Sequence, residues 1–187
     1  MRLPLAYFGN PVLRKKATRV EGIDEEIRQL VIDMVETMNA EKGIGLAAPQ
    51  IHRSLALFII QVPQDGPDDT CIPGQLYVFF NPKIISYSRE QSECSEGCLS
   101  IPKVYGRVNR PLKVTIEATD LEGKRFTQEF LGLEARAVMH ENDHINGVLF
   151  IDRLKGKERQ DLEPALRQIR KNIILTGVKK DNRKMRD

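Results

Sequence analysis

The sequence has few of the features that mark secreted or membrane-bound proteins. Its longest apolar run, Leu55 to Ile60, is far too short to cross a bilayer, and the first ten residues lack the basic-then-apolar order of a secretory signal. Its three cysteines, Cys71, Cys94 and Cys98, are too sparse and odd in number for a disulfide framework. We therefore expect a soluble protein of the reducing cytoplasm, whose cysteines are available for reaction or metal binding.

The chain also lacks internal repeats and low-complexity tracts, and its 187 residues suit a single domain with one hydrophobic core. Its net charge of +3 is not spread evenly. Residues 177–187 hold five basic and two acidic side chains, whereas the rest of the chain holds equal numbers of each sign. We therefore expect one neutral folded domain over residues 1–176, followed by a basic tail over residues 177–187.

Hydrophobic periodicity predicts helices flanking a set of strands. Apolar residues at spacings of three and four follow Asp24, a candidate N-cap, and predict a helix over 24–42 that is closed by Gly43. Strands are predicted at 55–62, 76–80, 83–87, 113–119 and 125–131, with a surface loop at 63–74, a hairpin turn at 120–123, and further helices at 133–146 and 157–173. Strands joined by hairpins and flanked by helices indicate an α+β fold.

The stretch "HENDH", residues 140–144, places two histidines one turn apart on the second predicted helix. Both imidazoles of His140 and His144 can therefore reach one metal ion. Glu141 would lie close enough to handle a proton of water bound to that ion, which is the logic of HExxH hydrolases. Because such pairs also occur on solvated helices, and because catalytic sites of this kind use three protein ligands, a third ligand is needed.

Cysteine supplies the candidates for this third ligand. In "EGCLS", Cys98 follows Gly97, whose missing side chain allows a neighbour or a ligand to approach the backbone. If Cys94 also bound, the result would be a closed structural zinc site with no position for a substrate. A structural zinc site would give Glu141 no role, however. The long strand-like sequence between Cys98 and His140 is also unlike a compact zinc finger. We interpret Cys94 as a free thiol.

The stretch "GIGLAAPQ", residues 43–50, begins where the first helix is predicted to end. It lacks the Lys-Ser/Thr ending of a phosphate-binding loop, and it could be no more than a flexible junction. Its small residues would also suit a lip where an extended peptide lies against bare backbone, with the Gln50 amide ready to donate a hydrogen bond.

In this order, "GIGLAAPQ", "EGCLS" and "HENDH" resemble the three signature motifs of the peptide deformylase family. The similarity extends to "NPVLRKKA", "SIPKVYGRVNRP" and "GVLFIDRL", and it covers most of residues 10–154. It implies antiparallel or mixed sheets packed around a central helix that carries the HExxH-type motif, with an N-terminal and a C-terminal helix. The implied function is hydrolysis of the formyl group from the N-terminal formyl-methionine of new polypeptides, a step of methionine processing in protein biosynthesis. The alternatives are an HExxH-type metallopeptidase and a non-enzymatic Cys/His structural zinc module.

The resemblance also implies roles for individual residues. The metal ligands would be Cys98, His140 and His144, holding one divalent ion: iron(II) in the cell, with zinc, nickel or cobalt as substitutes. Glu141 would act as general base and acid with metal-bound hydroxide as the attacking group, while Gln50 and the backbone N–H of Leu99 would bind the developing oxyanion. Residues expected to contact the substrate are Gly43, Ile44, Gly45, Gly97 and Ala137.

Three charged residues are expected to support the ligands. Glu96 and Arg110 match positions that would pair and brace the cysteine loop, and Asp143 would orient a ligand or an arginine. The sequence departs from the family pattern at Met139, Asn142, Glu134 and Ala137, but none of these is a metal ligand. The expected partners are a formyl-methionyl peptide and, through the basic tail, ribosomal RNA, with neither a membrane nor DNA indicated; a merely solubilising tail is the alternative.

Overall fold

The architecture is given by a computed structural model, which describes residues 1–184, with side chains for all of these except Asp69 and residues 174–184. The helices are α1 (Glu25–Ala40), α2 (Gly132–Ile145), α3 (Gly156–Asp161) and α4 (Glu163–Lys184). The strands are β1 (Gly45–Ala47), β2 (Leu57–Gln61), β3 (Gln64–Asp65), β4 (Cys71–Ile72), β5 (Leu76–Tyr87), β6 (Gln91–Cys98), β7 (Ile101–Pro111), β8 (Lys113–Thr119) and β9 (Arg125–Leu131). These elements confirm the predicted α+β class.

The strands form one large sheet and two hairpins, all with antiparallel pairing. The large sheet has the order β1-β2-β5-β8-β9, and the hairpins are β3–β4 and β6–β7. Helix α2 packs on the large sheet through contacts with β1, β2, β8 and β9. Phe58 and Phe79 stack at 4.5 Å between ring centroids and share a buried cluster with Val138 of α2. Apolar burial between helix and sheet therefore fixes the position of α2.

Helix α1 begins and ends with local capping interactions. The Asp24 side chain accepts a hydrogen bond from the Ile27 N–H, as predicted for an N-cap. At the other end the Gly43 N–H reaches the Met38 carbonyl at 2.9 Å, which is the bond that defines a Schellman motif. The left-handed residue of this motif is Lys42, with φ of 58°, and not the predicted Gly43.

The strands on either side of the predicted hairpin turn at 120–123 were predicted most closely. Strands β8 and β9 have the predicted bounds, and the turn between them is closed by the Gly123 N–H bonding the Asp120 carbonyl. The two strands predicted at 76–80 and 83–87 are one strand, β5. Its register with β8 is irregular between Phe80 and Lys83, where Asn81 has φ of 51°, so a local bulge accounts for the break in the sequence pattern.

The β6–β7 hairpin was not predicted. Its register runs from Gln91 opposite Pro111 to Gly97 opposite Tyr105, and then shifts before Cys98. The sequence of β6 is polar and lacks alternation, so its strand conformation follows from pairing with β7 and not from local preference. The predicted loop at 63–74 likewise contains the short β3–β4 hairpin.

The C-terminal region contains two helices where one was predicted over 157–173. The chain breaks at Leu162, the C-cap of α3, and α4 then has Pro164 in its first turn, where a missing N–H is tolerated. Helix α4 continues to Lys184, so the predicted tail begins within it, and the side chains of residues 177–187 lie outside the described residues. Of the helices that the structure describes, none combines the length and apolar character needed to cross a bilayer.

Candidate active site

A cavity of about 560 Å³ opens between three parts of the fold. Residues 41–45 and the edge strand β1 form one side, the β6–β7 hairpin forms another, and α2 contributes Leu133, Arg136, Ala137, His140 and Glu141. Each of the three sequence motifs therefore contributes to the lining. The hairpin that local sequence preferences did not predict is what brings "EGCLS" to the other two motifs.

Three candidate ligand side chains converge at the wall of this cavity, which Cys98 and His140 line. The ligand atoms of Cys98, His140 and His144 all lie within 4.8 Å of one another. The Cys98 Sγ is 3.2 Å from the His144 Nε2, and the two imidazole rings have centroids 5.0 Å apart. The predicted metal-ligating residues are therefore together, although they come from β6 and α2.

Neighbours fix the orientation of the His140 ring. Its Nδ1 lies 3.1 Å from the Glu96 Oε2, and Phe150 stacks on it at 6.3 Å between centroids. A proton on Nδ1 would be donated to the carboxylate, which presents the other ring nitrogen toward the cavity. Burial opposes the positive charge, but hydrogen bonds to Cys98 and Glu96 raise the pKa of His140 well above its usual value.

The second histidine is buried without such support. The His144 Nδ1 has no hydrogen-bond partner in the part of the chain whose side chains are described, and burial together with the charge of His140 lowers the pKa of His144 well below its usual value. A neutral imidazole is the form that binds metal ions, so His144 already has this form, whereas an ion bound at His140 would displace a proton. One thiolate and two imidazoles also form a ligand set of the kind that leaves an open position at a catalytic divalent ion. The residues present therefore fit such an ion.

Glu141 lines the same cavity. It is buried, and its Oε2 has no hydrogen-bond partner in the described part of the chain. Burial raises the pKa of Glu141 to about 7, against the opposing charge of His140. A Cβ built on Gly45 would lie 2.5 Å from the Glu141 Oε1, so a glycine is required for this carboxylate to lie against β1. An unpaired carboxyl group with this pKa can accept and release a proton near neutral pH.

The Gln50 amide has a fixed orientation. Its Oε1 accepts a hydrogen bond from the Ala47 N–H at 2.8 Å, which leaves the Nε2 group facing Cys98 at 3.5 Å and the Ser100 hydroxyl at 3.3 Å. Leu99 follows Cys98 at the start of the hairpin turn and lines the cavity. The structure therefore holds the Gln50 N–H donor beside the predicted ligands, with Leu99 in the same wall.

The three supporting charged residues form one buried network. Arg110 donates from Nε and Nη2 to both Glu96 oxygens, at 2.6 and 2.9 Å, and from Nη1 to the Asp143 Oδ2 at 2.9 Å. Burial opposes the ionised form of Glu96, but hydrogen bonds from Arg110 and His140 hold the pKa of this carboxyl well below its usual range. In the described part of the chain the Asp143 carboxylate bonds Arg110 and Arg153 and none of the three candidate ligands, so of its two expected roles the geometry favours orienting an arginine.

Sequence reasoning missed two arginines of this network. Arg136 donates to the Glu96 Oε1 at 2.6 Å, the Val108 carbonyl at 2.9 Å and the Ser92 carbonyl at 2.7 Å, and so fastens α2 to both strands of the hairpin. Arg153 makes a two-bond pair with Asp143, at 2.6 and 2.5 Å. A charged residue in an otherwise apolar stretch of α2 was the available signal for Arg136. The signal for Arg153 was its place in "GVLFIDRL", a segment that resembles the family.

The predicted substrate-contacting residues lie along the same cavity. Gly43, Ile44 and Gly45 form one wall, and β1 is an edge strand of the large sheet, so its outer side can pair with an extended peptide. A Cβ on Gly97 would lie 2.7 Å from the Tyr105 ring, so the packing of this ring leaves no room for a larger residue at position 97. Ala137 of α2 is buried and lines the cavity.

Cys98→Ser should lower the affinity for a divalent ion more than 100-fold. Removing a residue that only supports a metal ligand typically lowers metal affinity 10- to 100-fold, and removing a ligand itself should cost more. Cys94→Ser is the matched control: Cys94 also lies on β6, but it is exposed and outside the ligand cluster. Competition with a chelating dye measures both affinities. Equal losses in the two variants would favour the structural zinc site that includes Cys94.

The comparisons with known proteins point in one direction. The family model described as polypeptide deformylase matches residues 2–160. The chain is 44% identical over 176 residues to a peptide deformylase of Rhizobium meliloti (strain 1021), covering 94% of this chain and 97% of the relative.

Two solved structures show the same similarity. A Synechococcus elongatus peptide deformylase in complex with actinonin has a TM-score of 0.78 and 41% identity, covering 89% of this chain and 85% of that one. A Met-Ala-Ser-bound class I type b deformylase of Acinetobacter baumannii has a TM-score of 0.76 and 34% identity, covering 82% of this chain and 99% of that one.

Proposed function

The chain belongs to the polypeptide deformylase family and is an enzyme of that family, and from this premise we propose that it removes the formyl group from N-terminal formyl-methionyl polypeptides. The observation that carries the proposal is the Cys98, His140 and His144 cluster beside an unpartnered Glu141, in a cavity bounded by an open strand edge. The reaction is hydrolysis of the formamide C–N bond, which yields formate and a free amino terminus.

Cys98, His140 and His144 would hold one divalent ion. We propose iron(II) in the cell, and zinc, nickel and cobalt also suit one thiolate and two imidazoles. When bound, the ion supplies Lewis acidity and lowers the pKa of water, so that a nucleophile is available near neutral pH. The HExxH-type motif on α2 thus supplies two of the ligands and the proton-transfer group from one rigid element.

Glu141 carries out the proton transfers in this proposal. Its unpartnered Oε2 takes a proton from the attacking water and later gives it to the nitrogen of the leaving amine. Because burial raises the pKa of Glu141 to about 7, the group can serve in both directions. Protonating the nitrogen is what allows the C–N bond to break, since an amide anion is a poor leaving group.

Gln50 and Leu99 stabilise the oxygen of the formyl group as it becomes negative. The Gln50 Nε2 is held in place by the bond between its Oε1 and Ala47, so it needs little reorganisation during the reaction. The backbone N–H of Leu99 would be the second donor. In enzymes with such a pair, losing one donor typically costs about 3 kcal/mol of transition-state stabilisation.

The peptide would be positioned by the edge of β1 and by the cavity floor. Its backbone would pair with residues 43–45 as an added strand, and the methionine side chain would lie against Ala137. The related Acinetobacter baumannii structure is described as bound to Met-Ala-Ser. That tripeptide is what deformylation of formyl-Met-Ala-Ser would release, which supports this substrate class.

The substrate proposal predicts a specific selectivity. Formyl-Met-Ala-Ser should be hydrolysed, and acetyl-Met-Ala-Ser should react at least ~10-fold more slowly because its extra methyl group must fit beside the reacting carbon. Anaerobic purification, metal analysis and an amine-release assay on both peptides test this. Cleavage of internal peptide bonds without release of formate would favour the HExxH-type metallopeptidase.

We place this reaction in the cytoplasm, where polypeptides are synthesised. The basic residues of segment 177–187 are further proposed to approach ribosomal RNA by neutralising phosphate charge. The charge of the sequence supports the RNA contact, and the side chains of this segment lie outside the described residues.

A further inference from the structure

The mouth of the cavity carries positive charge that is not neutralised. Two carboxylates other than Glu141 line the cavity, and both are paired within the protein. Glu41 accepts a hydrogen bond from Arg2 at 2.9 Å, and Glu96 is occupied by Arg110 and Arg136. The acidic groups of the wall are therefore unavailable to a cation.

Two lysines in the same lining have no such partner. Lys42 follows helix α1, and Lys103 lies in β7 on the other segment that forms the cavity. Both side chains are exposed, and neither has an ion-pair or hydrogen-bond partner in the part of the chain that the structure describes. An exposed, unpaired ammonium group in a concave surface attracts anions from solution.

Both lysines also occupy backbone positions that favour glycine. Lys42 has φ of 58° in the Schellman motif that ends α1, and Lys103 has φ of 61° where the register of β6 and β7 shifts. A side chain in this left-handed region is strained, and such strain concentrates at functional sites. The chain thus retains two long cationic side chains at the cavity mouth where glycine would relieve the backbone.

We propose that Lys42 and Lys103 make the enzyme prefer peptides with acidic side chains at the second and third residues. This inference rests on the proposed function, because it assumes that the methionine occupies the floor beside Ala137. An extended peptide rises about 3.3 Å per residue, so the following residues must leave the floor and pass the mouth. Their carboxylates would then lie within the reach of two unpaired ammonium groups.

Three C-terminally amidated peptides test the preference without a terminal carboxylate: formyl-Met-Asp-Glu, formyl-Met-Ala-Ser and formyl-Met-Lys-Lys. At low salt we expect kcat/KM for the acidic peptide to exceed that for the neutral peptide about 2- to 10-fold, and the basic peptide to be poorest. The difference should lie in KM and should shrink in about 0.5 M salt, where the Debye length is short.

Substitutions of the two lysines test whether they cause the preference for acidic peptides. Lys42→Gln with Lys103→Gln should bring the acidic-to-neutral ratio of kcat/KM close to one. The control, Lys15→Gln with Lys16→Gln, removes the same charge at exposed residues outside the cavity and should keep the ratio. Lys103→Gly relieves the backbone as well as removing the charge, and it should lower the ratio as much as Lys103→Gln if charge is the cause.

The outcomes separate this inference from the proposed function. Equal kcat/KM for the three peptides, with all of them deformylated, would overturn the role of the lysines and leave the deformylase activity standing. A ratio that persists in the double variant would also overturn it. Failure to deformylate any of the peptides, with metal bound, would reject the proposed function and the inference together.

Discussion

Glu141→Gln is expected to lower kcat for formyl-methionyl peptides about 10³-fold, within the 10² to 10⁴ that positioned acid–base groups usually contribute. Glutamine has nearly the same shape but can neither accept the proton of water nor return it to the leaving amine. Because Glu141 is buried with an unpartnered Oε2, little compensating chemistry is available from its neighbours. Steady-state kinetics with formyl-Met-Ala-Ser measure the loss.

The fold and the metal content of this variant should be unchanged. Glu141 is not one of the three clustered ligands, and a neutral side chain in its position removes the cost of burying a carboxylate. Glu134→Gln makes the same chemical change on the same helix, at a residue that does not line the cavity, and should keep full activity. Wild-type kcat in a Glu141→Gln protein that binds metal normally would show that the proton is transferred by another group.

The helices and strands that could be predicted from sequence are those whose own residues carry the signal, as a capping residue or as a hydrophobic periodicity. Helix α1 has a capping Asp24 and apolar residues at helical spacing, and β8, whose residues alternate between apolar and polar, is joined to β9 by a Gly-containing turn. Their structure is encoded in short windows, so their bounds could be predicted to within a few residues.

The β6–β7 hairpin could not be predicted because its stability comes from elsewhere in the chain. Residues 91–98 are polar, and the strand is secured by β7 and by Arg136 of α2, which bonds Ser92 and Glu96. Arg136 is separated from the hairpin in sequence by strands β8 and β9. The break in the C-terminal helix, in contrast, had a local sign in Pro164, which the sequence analysis did not use.

The candidate site was predictable through its motifs and not through its surroundings. Helical spacing pointed to the two histidines and the family resemblance added Cys98, and the structure brings these three candidate ligands together. The support for them was only partly foreseen, since Arg136 and Arg153 join Glu96, Arg110 and Asp143 in one network. In a sequence, a charged residue that is buried cannot be told from one on the solvated surface, because the partners that neutralise its charge lie far away along the chain.

That network links the positions of the ligands to the stability of the fold. Glu96 contacts His140 directly, and Arg110 joins Glu96 of β6 to Asp143 of α2. The Arg110 side chain is only 2% exposed, so its charge depends on these two carboxylates for compensation. The hairpin that carries Cys98 and the helix that carries both histidines are thereby held in one arrangement.

Arg110→Met should therefore lower the free energy of unfolding by about 3 to 5 kcal/mol, the usual effect of removing one partner from a buried ion pair. Arg107→Met is the matched control on the same strand. The ion pair that it makes within the described residues, with Glu93, joins side chains that are 69% and 51% exposed, so the expected cost is below about 1 kcal/mol. Urea denaturation of the three proteins measures both differences.

Metal affinity tells whether the network also positions the ligands. If Arg110 acts through Glu96 on His140, the Arg110→Met protein should bind a divalent ion about 10- to 100-fold more weakly even under conditions where it remains folded. The Arg107→Met protein should bind normally. A folded Arg110→Met protein with undiminished metal affinity would mean that Arg136 and His140 alone hold Glu96 in place, and that the contribution of Arg110 is confined to stability.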